Sequence, residues 1–481
     1  MKVPIGPLWV DSDDRSPVVN PATEEVVDYV PNLPIDVVRQ AIDAAHDALE
    51  ALQSMTIARR SRLLLKVAEM IRQSQEDLAK TMSMEIGRPI KSARLEIERT
   101  AMIFELAASE VRRALTGEFV PLEMYEWPAG NEGRIAIVKR EPLGVVASIT
   151  PFNFPAASFA HKVAPALAVG NAVVHKPAPN APLTQIKLAE IILKAGFPPG
   201  SVNVVTGDPV KIGEEFVTND KVAMITFTGS DRTGLGVIAP KAVARGKRLL
   251  MELGGSDAVI VLEDADMKKA ARAAVVGRFD YSGQYCNAAK RLIVRREALD
   301  EFAKALIDEF NKLKVGDPLD ESTDIGPLIS AEAVSSMRAF LEDALSKGGE
   351  ILARLEVPRR GFYFPPTIVK LRADSKARAL REEVFGPILP LVVVDSDEEA
   401  VEAANATDYG LDASIFTRDF SRAYKLASRI KAGTVMINDT TRLRWDALPF
   451  GGFKRSAIGR EGVYHTMLAM TEIKVLVWRL D

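Results

Sequence analysis

Residues 144–255 decide the fold: five short runs, VVASIT (145–150), NAVVHK (171–176), VNVV (202–205), VAMITF (222–227) and RLLMEL (248–253), alternate with stretches of helical spacing. The helical stretches include 161–168, 183–194 and 211–217. Apolar runs rich in β-branched residues suit strands buried on both faces, and repeated βα units imply a parallel, doubly wound sheet with ligands at the strands' C-terminal ends. Before this region, residues 35–52 put Val38, Ile42, Ala45 and Leu49 on one helical face, and similar spacing recurs through 61–84 and 92–115. These read as amphipathic covers, not catalytic elements. Between them and the sheet, 117–142 turns strand-like, RIAIVKREP (134–142) beside Pro and Gly, as in a hairpin arm. A second αβ stretch follows Asp264, with strands such as RLIVR (291–295) and PLVVV (390–394), and EIKVLVWRL (472–480) reads as a terminal strand.

With 481 residues the chain exceeds the roughly 250 to 300 that one core holds, so at least two domains are expected, and 47% hydrophobic residues can fill them. A net charge of -3 gives no reason to expect nucleic acid or an anionic membrane as partner, which leaves a small molecule. The start, MKVPIGPLWVDSDDR, lacks the apolar region of a signal peptide, and later apolar stretches are broken before spanning length, so a cytoplasmic protein is expected. One cysteine excludes an intramolecular disulfide, and four scattered His offer no paired ligand spacing, so no metal is expected.

Five places carry chemistry-bearing residues. The strand 222–227 runs into Thr228, Gly229 and Ser230, then a helix containing Gly234, where small residues would let a pyrophosphate approach free N–H groups; a tight turn needs Gly equally. Cys286 in SGQYCNAAKR is followed by the helix-like AAKRLIV, and a helix start would favour the thiolate, whereas a free Cys is commonly a small buried hydrophobe. Glu252 ends RLLMEL before two glycines, at a strand mouth suited to a general base, although a salt bridge or cap is the commoner fate of a lone Glu. Asn153 is held between two prolines in TPFNFP and could donate to an oxyanion or form an Asx-turn. Lys176 ends a strand in VVHKPAP, where it could reach a ribose or be solvated.

Taken together and in order, these motifs resemble the aldehyde dehydrogenase superfamily along essentially the whole chain. The resemblance rests on TPFNFP (150–155), HKPAP (175–179), FTGS (227–230), MELGG (251–255), GQYCNAAKR (283–291), EEVFGP (382–387), NATDYGL (405–411) and PFGGFKRSAIGREG (449–462). That the sole cysteine falls in the nucleophile motif reverses the bland reading of Cys286. The resemblance implies an α/β fold of three parts: a Rossmann-type dinucleotide-binding domain (1–117 and 143–253), an α/β catalytic domain (254–455) and a β-arm for oligomerisation (118–142 and 465–481). It further implies a homotetramer or homodimer. Cys286 would form a thiohemiacetal whose oxyanion Asn153 and the Cys286 N–H hold, and Glu252 would activate the water that releases the acid. Lys162 matches a family lysine near the active site.

Lys176 and Glu383 resemble the residues that hold the adenine-side and nicotinamide-side riboses, with Gly229, Ser230 and Gly234 near the pyrophosphate. Thr150, Pro151, Phe152, Pro179, Leu253 and Phe385 complete the expected cofactor site. Many NAD-preferring relatives carry Glu where this chain has Pro179; without that carboxylate's repulsion NADP is the expected cofactor, with NAD also accepted. The substrate mouth is expected to involve Asn153, Phe450, His161 in place of the usual Trp, and Arg442 and Arg444, which could instead face solvent or a second subunit. This segment resembles archaeal-type glyceraldehyde and lactaldehyde dehydrogenases, pointing to glyceraldehyde, glyceraldehyde 3-phosphate or lactaldehyde. A broad aliphatic or aromatic aldehyde dehydrogenase is the near alternative. A CoA-acylating semialdehyde dehydrogenase is disfavoured by Glu252, and a catalytically silent binding relative by the presence of nucleophile, base and oxyanion donor together.

Overall fold

The five runs form parallel strands of one sheet in the computed structural model, which describes residues 1–480. Across the sheet they lie in the order Arg248–Glu252, Val222–Thr228, Val145–Ile149, Ala172–Lys176, Val202–Val204. The first strand in the chain is thus the central one, and the chain winds outward from it in both directions. That leaves a switch point between Val145–Ile149 and Val222–Thr228, where the loops leaving their C-terminal ends diverge and open a crevice. A second sheet has seven strands, in the order Glu350–Arg354, Thr367–Leu371, Ile388–Val394, Ala289–Arg295, Asp257–Val261, Asp412–Phe416 and Thr434–Ile437. All of its pairings are parallel except that of Glu350–Arg354. After it the chain returns to the first sheet, where Ala457–Ile458 pairs antiparallel with Arg248–Glu252 and sets Ala457 opposite Glu252.

Two helices that follow the first sheet's strands have no capping side chain of their own. Pro155–Val169 starts after Phe154 with Pro at its first position, which supplies the right φ but no hydrogen bond. Leu183–Ala195 starts after Pro182. Both receive a carboxylate from elsewhere: Glu96 accepts from the N–H groups of Ala156 (3.0 Å) and Ala157 (3.1 Å), and Glu85 from those of Leu183 (2.7 Å) and Thr184 (3.0 Å). These two glutamates flank the turn between the helices Gln75–Ile86 and Ile90–Ala114. Burial pushes the Glu85 carboxyl up to about 7 even with these donors. Glu96 is ion-paired to Arg88 in the same turn, with both side chains almost wholly buried. Arg88 also donates to the Asn153 carbonyl (3.2 Å), the Tyr285 hydroxyl (3.1 Å) and Ser92 Oγ (3.0 Å).

A three-stranded sheet projects separately, with Arg134–Pro142 pairing antiparallel to Glu118–Pro121 on one side and to Thr471–Arg479 on the other. The terminal pairing runs in unbroken register from Thr471↔Pro142 to Arg479↔Arg134. The helix Val463–Ala469 does not join this arm but packs on Pro155–Val169 and Ile90–Ala114, so the C-terminal arm segment begins about six residues later than its expected start at 465. Among the described residues no helix is long and apolar enough to cross a membrane.

Removing one member of a buried ion pair strands the other charge, at about 3 to 5 kcal/mol. Arg88→Met is therefore expected to lower the midpoint of urea denaturation markedly, and Arg88→Met combined with Glu96→Gln to recover part of the loss. A single variant as stable as the parent would contradict this account of the turn.

Candidate active site

Thr150 to Phe154 leave the central strand at the switch point, Thr228 to Ser230 leave its neighbour, and Glu252 to Gly254 leave the next strand over. With residues from the second sheet they enclose a cavity of about 380 Å³. Cys286, Asn153 and Glu252 all line it, as do Pro151, Phe152, Gly229, Ser230, Leu253, Glu383 and Phe385 on the expected cofactor side. His161, Arg442, Arg444 and Phe450, expected at the substrate mouth, line the same space. Lys176, Pro179 and Gly234 lie outside this wall. Lys176 is buried at the end of its strand, where loss of hydration lowers its ammonium to about 8. Pro179 is exposed, and Gly234 is packed so tightly that a Cβ would lie 2.6 Å from Leu253 Cδ2. The Thr150 hydroxyl is committed to Gln185 Oε1 at 2.7 Å within a buried cluster.

Cys286 does not begin a helix. The AAKRLIV stretch is the central-sheet strand Ala289–Arg295, so no helix dipole is available to lower the thiol. A tight left-handed turn precedes the cysteine instead, with φ of +46° at Tyr281, +56° at Ser282 and +70° at Gly283. The two non-glycine residues each carry a cost of about 1 to 2 kcal/mol. At Gly283 a Cβ would meet the carbonyl oxygens of Gly386 and Arg278 at 2.7 and 2.8 Å, so only glycine fits. Burial pushes the Cys286 thiol up to about 12; the Lys290 ammonium opposes this, while Glu383, Asp257 and Asp412 add to it. The resting group is therefore a thiol, partly open to the cavity.

Asn153 donates from Nδ2 to the Gln284 carbonyl at 2.7 Å, which fixes the amide plane and leaves one N–H for another acceptor. Gln284 is two residues from Cys286, so the amide and the sulfur are held by a shared stretch of backbone.

Glu252 is buried with a single polar contact, the Glu461 N–H to Oε1 at 3.3 Å, and its Oε2 has no partner among the described residues. Burial raises its pKa well above the usual carboxylate range, and the Glu461 charge raises it further. Burial pushes Glu461 the same way, yet Lys162 and Arg444 hold it well below that range. Lys162 Nζ donates to Glu461 Oε1 (2.9 Å) and Thr228 Oγ1 (2.7 Å), and Arg444 Nη2 donates to Glu461 Oε2 (2.9 Å). Lys162 is thus one layer behind the cavity wall. The chain of charges continues from Arg444 to His161 and Asp446: His161 Nε2 pairs with Asp446 Oδ1 at 2.9 Å, and burial, then Arg444, lower its pKa.

Arg99 grips Asp446 through Nε and Nη2, at 3.0 and 2.6 Å. It also lines the cavity, which corrects the expectation that the N-terminal helices are covers only. Nothing in the amphipathic spacing of Ile90–Ala114 separates Arg99 from its other surface arginines. Glu461 was also unassigned, although it sits in the PFGGFKRSAIGREG motif; a carboxylate there was visible, but its approach to Glu252 depends on the strand Ala457–Ile458 crossing to the first sheet. Arg442 pairs with Asp280 and lies over the Tyr285 ring, 4.9 Å from its centroid, while Arg444 lies 4.0 Å over Phe450.

The sequence profile of the Aldehyde dehydrogenase family matches residues 9–476. A lactaldehyde dehydrogenase of Methanocaldococcus jannaschii is 39% identical over 473 residues, covering 98% of each chain. A 3-sulfolactaldehyde dehydrogenase of Priestia aryabhattai is 37% identical over 472 residues, 98% of this chain and 96% of that one. Among solved structures, an NADP-dependent glyceraldehyde-3-phosphate dehydrogenase of Bacillus halodurans complexed with NADP superposes with a TM-score of 0.95 at 37% identity, covering 100% of this chain and 99% of that one.

Glu461→Gln removes an anion facing Glu252 and leaves Lys162 and Arg444 facing it, so the Glu252 pKa must fall. A rate that needs ionised Glu252 rises with pH through that pKa, and in the variant this rise is expected to begin at lower pH. Steady-state profiles across roughly pH 6 to 10 read the shift; a rise that stays in place or moves upward would refute the coupling.

Proposed function

The chain belongs to the aldehyde dehydrogenase family, and from that premise we propose that it oxidises a small hydroxyaldehyde to the carboxylic acid with NADP, or NAD, through Cys286. The observation that carries this reading is the meeting of a thiol, an oriented amide and a buried, high-pKa carboxylate in one cavity that three arginines also line.

The Cys286 thiol loses its proton to solvent, and attack of the sulfur on the aldehyde carbon forms a C–S bond and moves the carbonyl electron pair to oxygen. The free Asn153 N–H and the Cys286 backbone N–H are the donors for that oxyanion, fixed before the charge develops. Oxidation at this carbon, for which NADP or NAD supplies the hydride acceptor when bound, leaves an acyl group on sulfur. Water then attacks the acyl carbon and gives its proton to ionised Glu252; the C–S bond breaks, releasing the acid, and the sulfur takes that proton back from Glu252 to restore the thiol. A carboxylate raised toward neutrality is a better proton acceptor than an exposed one. Glu252 lines the cavity, placed to take a proton from water there, and its presence favours hydrolysis over transfer to CoA.

The walls fit a dinucleotide. Gly229 and Ser230 present a strand end with small side chains, Phe385 and Leu253 offer apolar surface beside Cys286, and Glu383 offers carboxylate oxygens for ribose hydroxyls. Lys176, its ammonium already poorly hydrated, and the carboxylate-free Pro179 suit the adenine-side ribose with or without a 2′-phosphate. NADP use accords with the cofactor held by the Bacillus halodurans relative. Arg99, Arg442, Arg444 and His161 supply donors for hydroxyl or anionic substituents of the aldehyde, and relatives named for lactaldehyde and 3-sulfolactaldehyde support that class. The arm exposes Ile473, Val475, Val477 and Trp478 on its terminal strand, apolar surface suited to a second copy in a cytoplasmic homodimer or homotetramer.

Purified protein with NADP or NAD is expected to reduce the cofactor without CoA, fastest on glyceraldehyde, glyceraldehyde 3-phosphate or lactaldehyde and slower on hexanal and benzaldehyde. Cys286→Ala should abolish turnover while retaining cofactor binding, and Asn153→Ala should lower kcat by about 10²- to 10³-fold. Faster turnover of hexanal would overturn the substrate class, and an active Cys286→Ala protein the mechanism.

A further inference from the structure

Lys290 is fully buried at the start of the strand Ala289–Arg295, four residues after Cys286. Its Nζ donates to Glu383 Oε1 at 2.9 Å and to the Gly255 carbonyl at 3.3 Å, and stands 5.2 Å from the centroid of the Phe385 ring. Glu383 Oε1 also accepts from the Gly255 N–H at 3.1 Å. A Cβ on Gly254 would collide with Glu383 Oε2, so the carboxylate lies directly against the backbone that follows Glu252. The ammonium therefore ties together the loop bearing Glu383 and Phe385, the Gly254–Gly255 backbone and the strand that follows the nucleophile.

We propose that Lys290 is a positioning residue that shares its one positive charge between the Glu383 carboxylate and the Cys286 sulfur, so that a single ammonium sets both the ribose-facing carboxylate and the reactivity of the nucleophile. The role of Glu383 rests on the functional reading above; the effect on the sulfur does not. Gly255, whose carbonyl Lys290 holds, packs so closely on the Cys286 carbonyl that a Cβ there would lie 2.6 Å from its oxygen. Four charged or titratable groups act on Cys286: Lys290 on the strand that follows it, Glu383 on the adjoining loop, Asp257 on one neighbouring strand and Asp412 on the strand beyond it. The two aspartates lie close, Asp412 donating its N–H to Asp257 Oδ1 at 3.2 Å. Burial, and for Asp257 the nearness of Asp412, raise both carboxyls, which reduces the negative charge they present. Lys290 is thus the one cation of the four, and Glu383 is its direct competitor. In a site of low polarity a charge so placed acts over several ångströms with little screening.

The chain's only cysteine makes the test specific, because alkylation by iodoacetamide reads Cys286 alone and requires neither turnover nor cofactor. Its rate at fixed pH follows the thiolate fraction. Lys290→Met is expected to alkylate about tenfold more slowly at mildly alkaline pH, the effect of one unit in the thiol's pKa, and Lys290→Arg to stay near the parent. Glu383→Gln should do the opposite, alkylating severalfold faster, because it removes an anion and frees the ammonium. In assays of turnover, Lys290→Met should also raise the KM for NADP and NAD, its anchor for Glu383 being lost. A folded Lys290→Met protein alkylating at the parent rate would overturn the proposal. Should Lys290→Met fail to fold, an unchanged or slower rate in Glu383→Gln would do the same. If Glu383→Gln speeds alkylation but leaves both cofactor KM values unmoved, the ribose assignment fails and the role of Lys290 toward the sulfur stands.

Discussion

The buried pair of Arg88 and Glu96 is the interaction on which the active-site geometry depends. An isolated guanidinium or carboxylate in such a place would be prohibitively costly, so each must spend its hydrogen-bonding capacity on fixed partners. Glu96 uses its second oxygen on the first N–H groups of the helix Pro155–Val169, and Arg88 uses its remaining donors on the Asn153 carbonyl and the Tyr285 hydroxyl. Asn153 and Tyr285 come from segments more than a hundred residues apart, and each lies at or beside a reacting group. One desolvated ion pair outside the reaction thus fixes the relative positions of amide and thiol. The guanidinium also lies 4.5 Å over Phe154, which closes the same loop from its other side.

Around this frame, burial and neighbouring charge sort three acids into different states. Glu252 and Glu461 are both deeply buried and joined through the Glu461 N–H, but only Glu461 is flanked by cations at hydrogen-bonding distance. The anion therefore resides on Glu461 and pushes the proton affinity of Glu252 upward, as expected when like charges share a site. Cys286 is held as a thiol for a related reason: burial outweighs the one nearby cation. Burial thus biases both nucleophile and base toward their neutral forms, and only Glu461 is held as an anion by its neighbours.

Much of this was legible in the sequence, for physical reasons that differ by element. The strand Arg134–Pro142 has the bounds its composition suggested, because its Ile- and Val-rich run suits an extended backbone and lies between Gly133 and Pro142. The nucleotide-binding sheet was readable because parallel strands must be apolar throughout and each βα unit repeats the pattern. The AAKRLIV stretch misled for the same reason, although its RLIVR end was read as a strand: a fully buried strand that opens on alanine cannot be told from a buried helix by periodicity. Asn153 and Glu252 stood out because they sit at strand mouths, and Cys286 because it is the sole cysteine and falls within a motif. Arg99, Arg88 and Glu96 did not, since an amphipathic helix shows which face is apolar and not which of its charged residues will be covered by another element.

The arginine wall sharpens the question of substrate charge. Arg99 is satisfied by Asp446, Arg442 is paired with Asp280, and Arg444 serves Glu461. Each guanidinium already faces a carboxylate, so the wall carries donors in excess of net positive charge. Such a wall gives a neutral hydroxyl a fixed partner without requiring an ion pair to break. An anionic substituent gains more from the guanidinium forks, but it must approach the same carboxylates. Arg444 differs in that its Nε is buried without a hydrogen bond among the described residues, the nearest carboxylate oxygen being Asp446 Oδ1 at 3.8 Å. An unsatisfied buried donor is costly, and the long approach of Asp446 offsets that cost only in part. Discrimination between hydroxyl and anionic substituents therefore falls to guanidinium donors that are each already shared with a carboxylate.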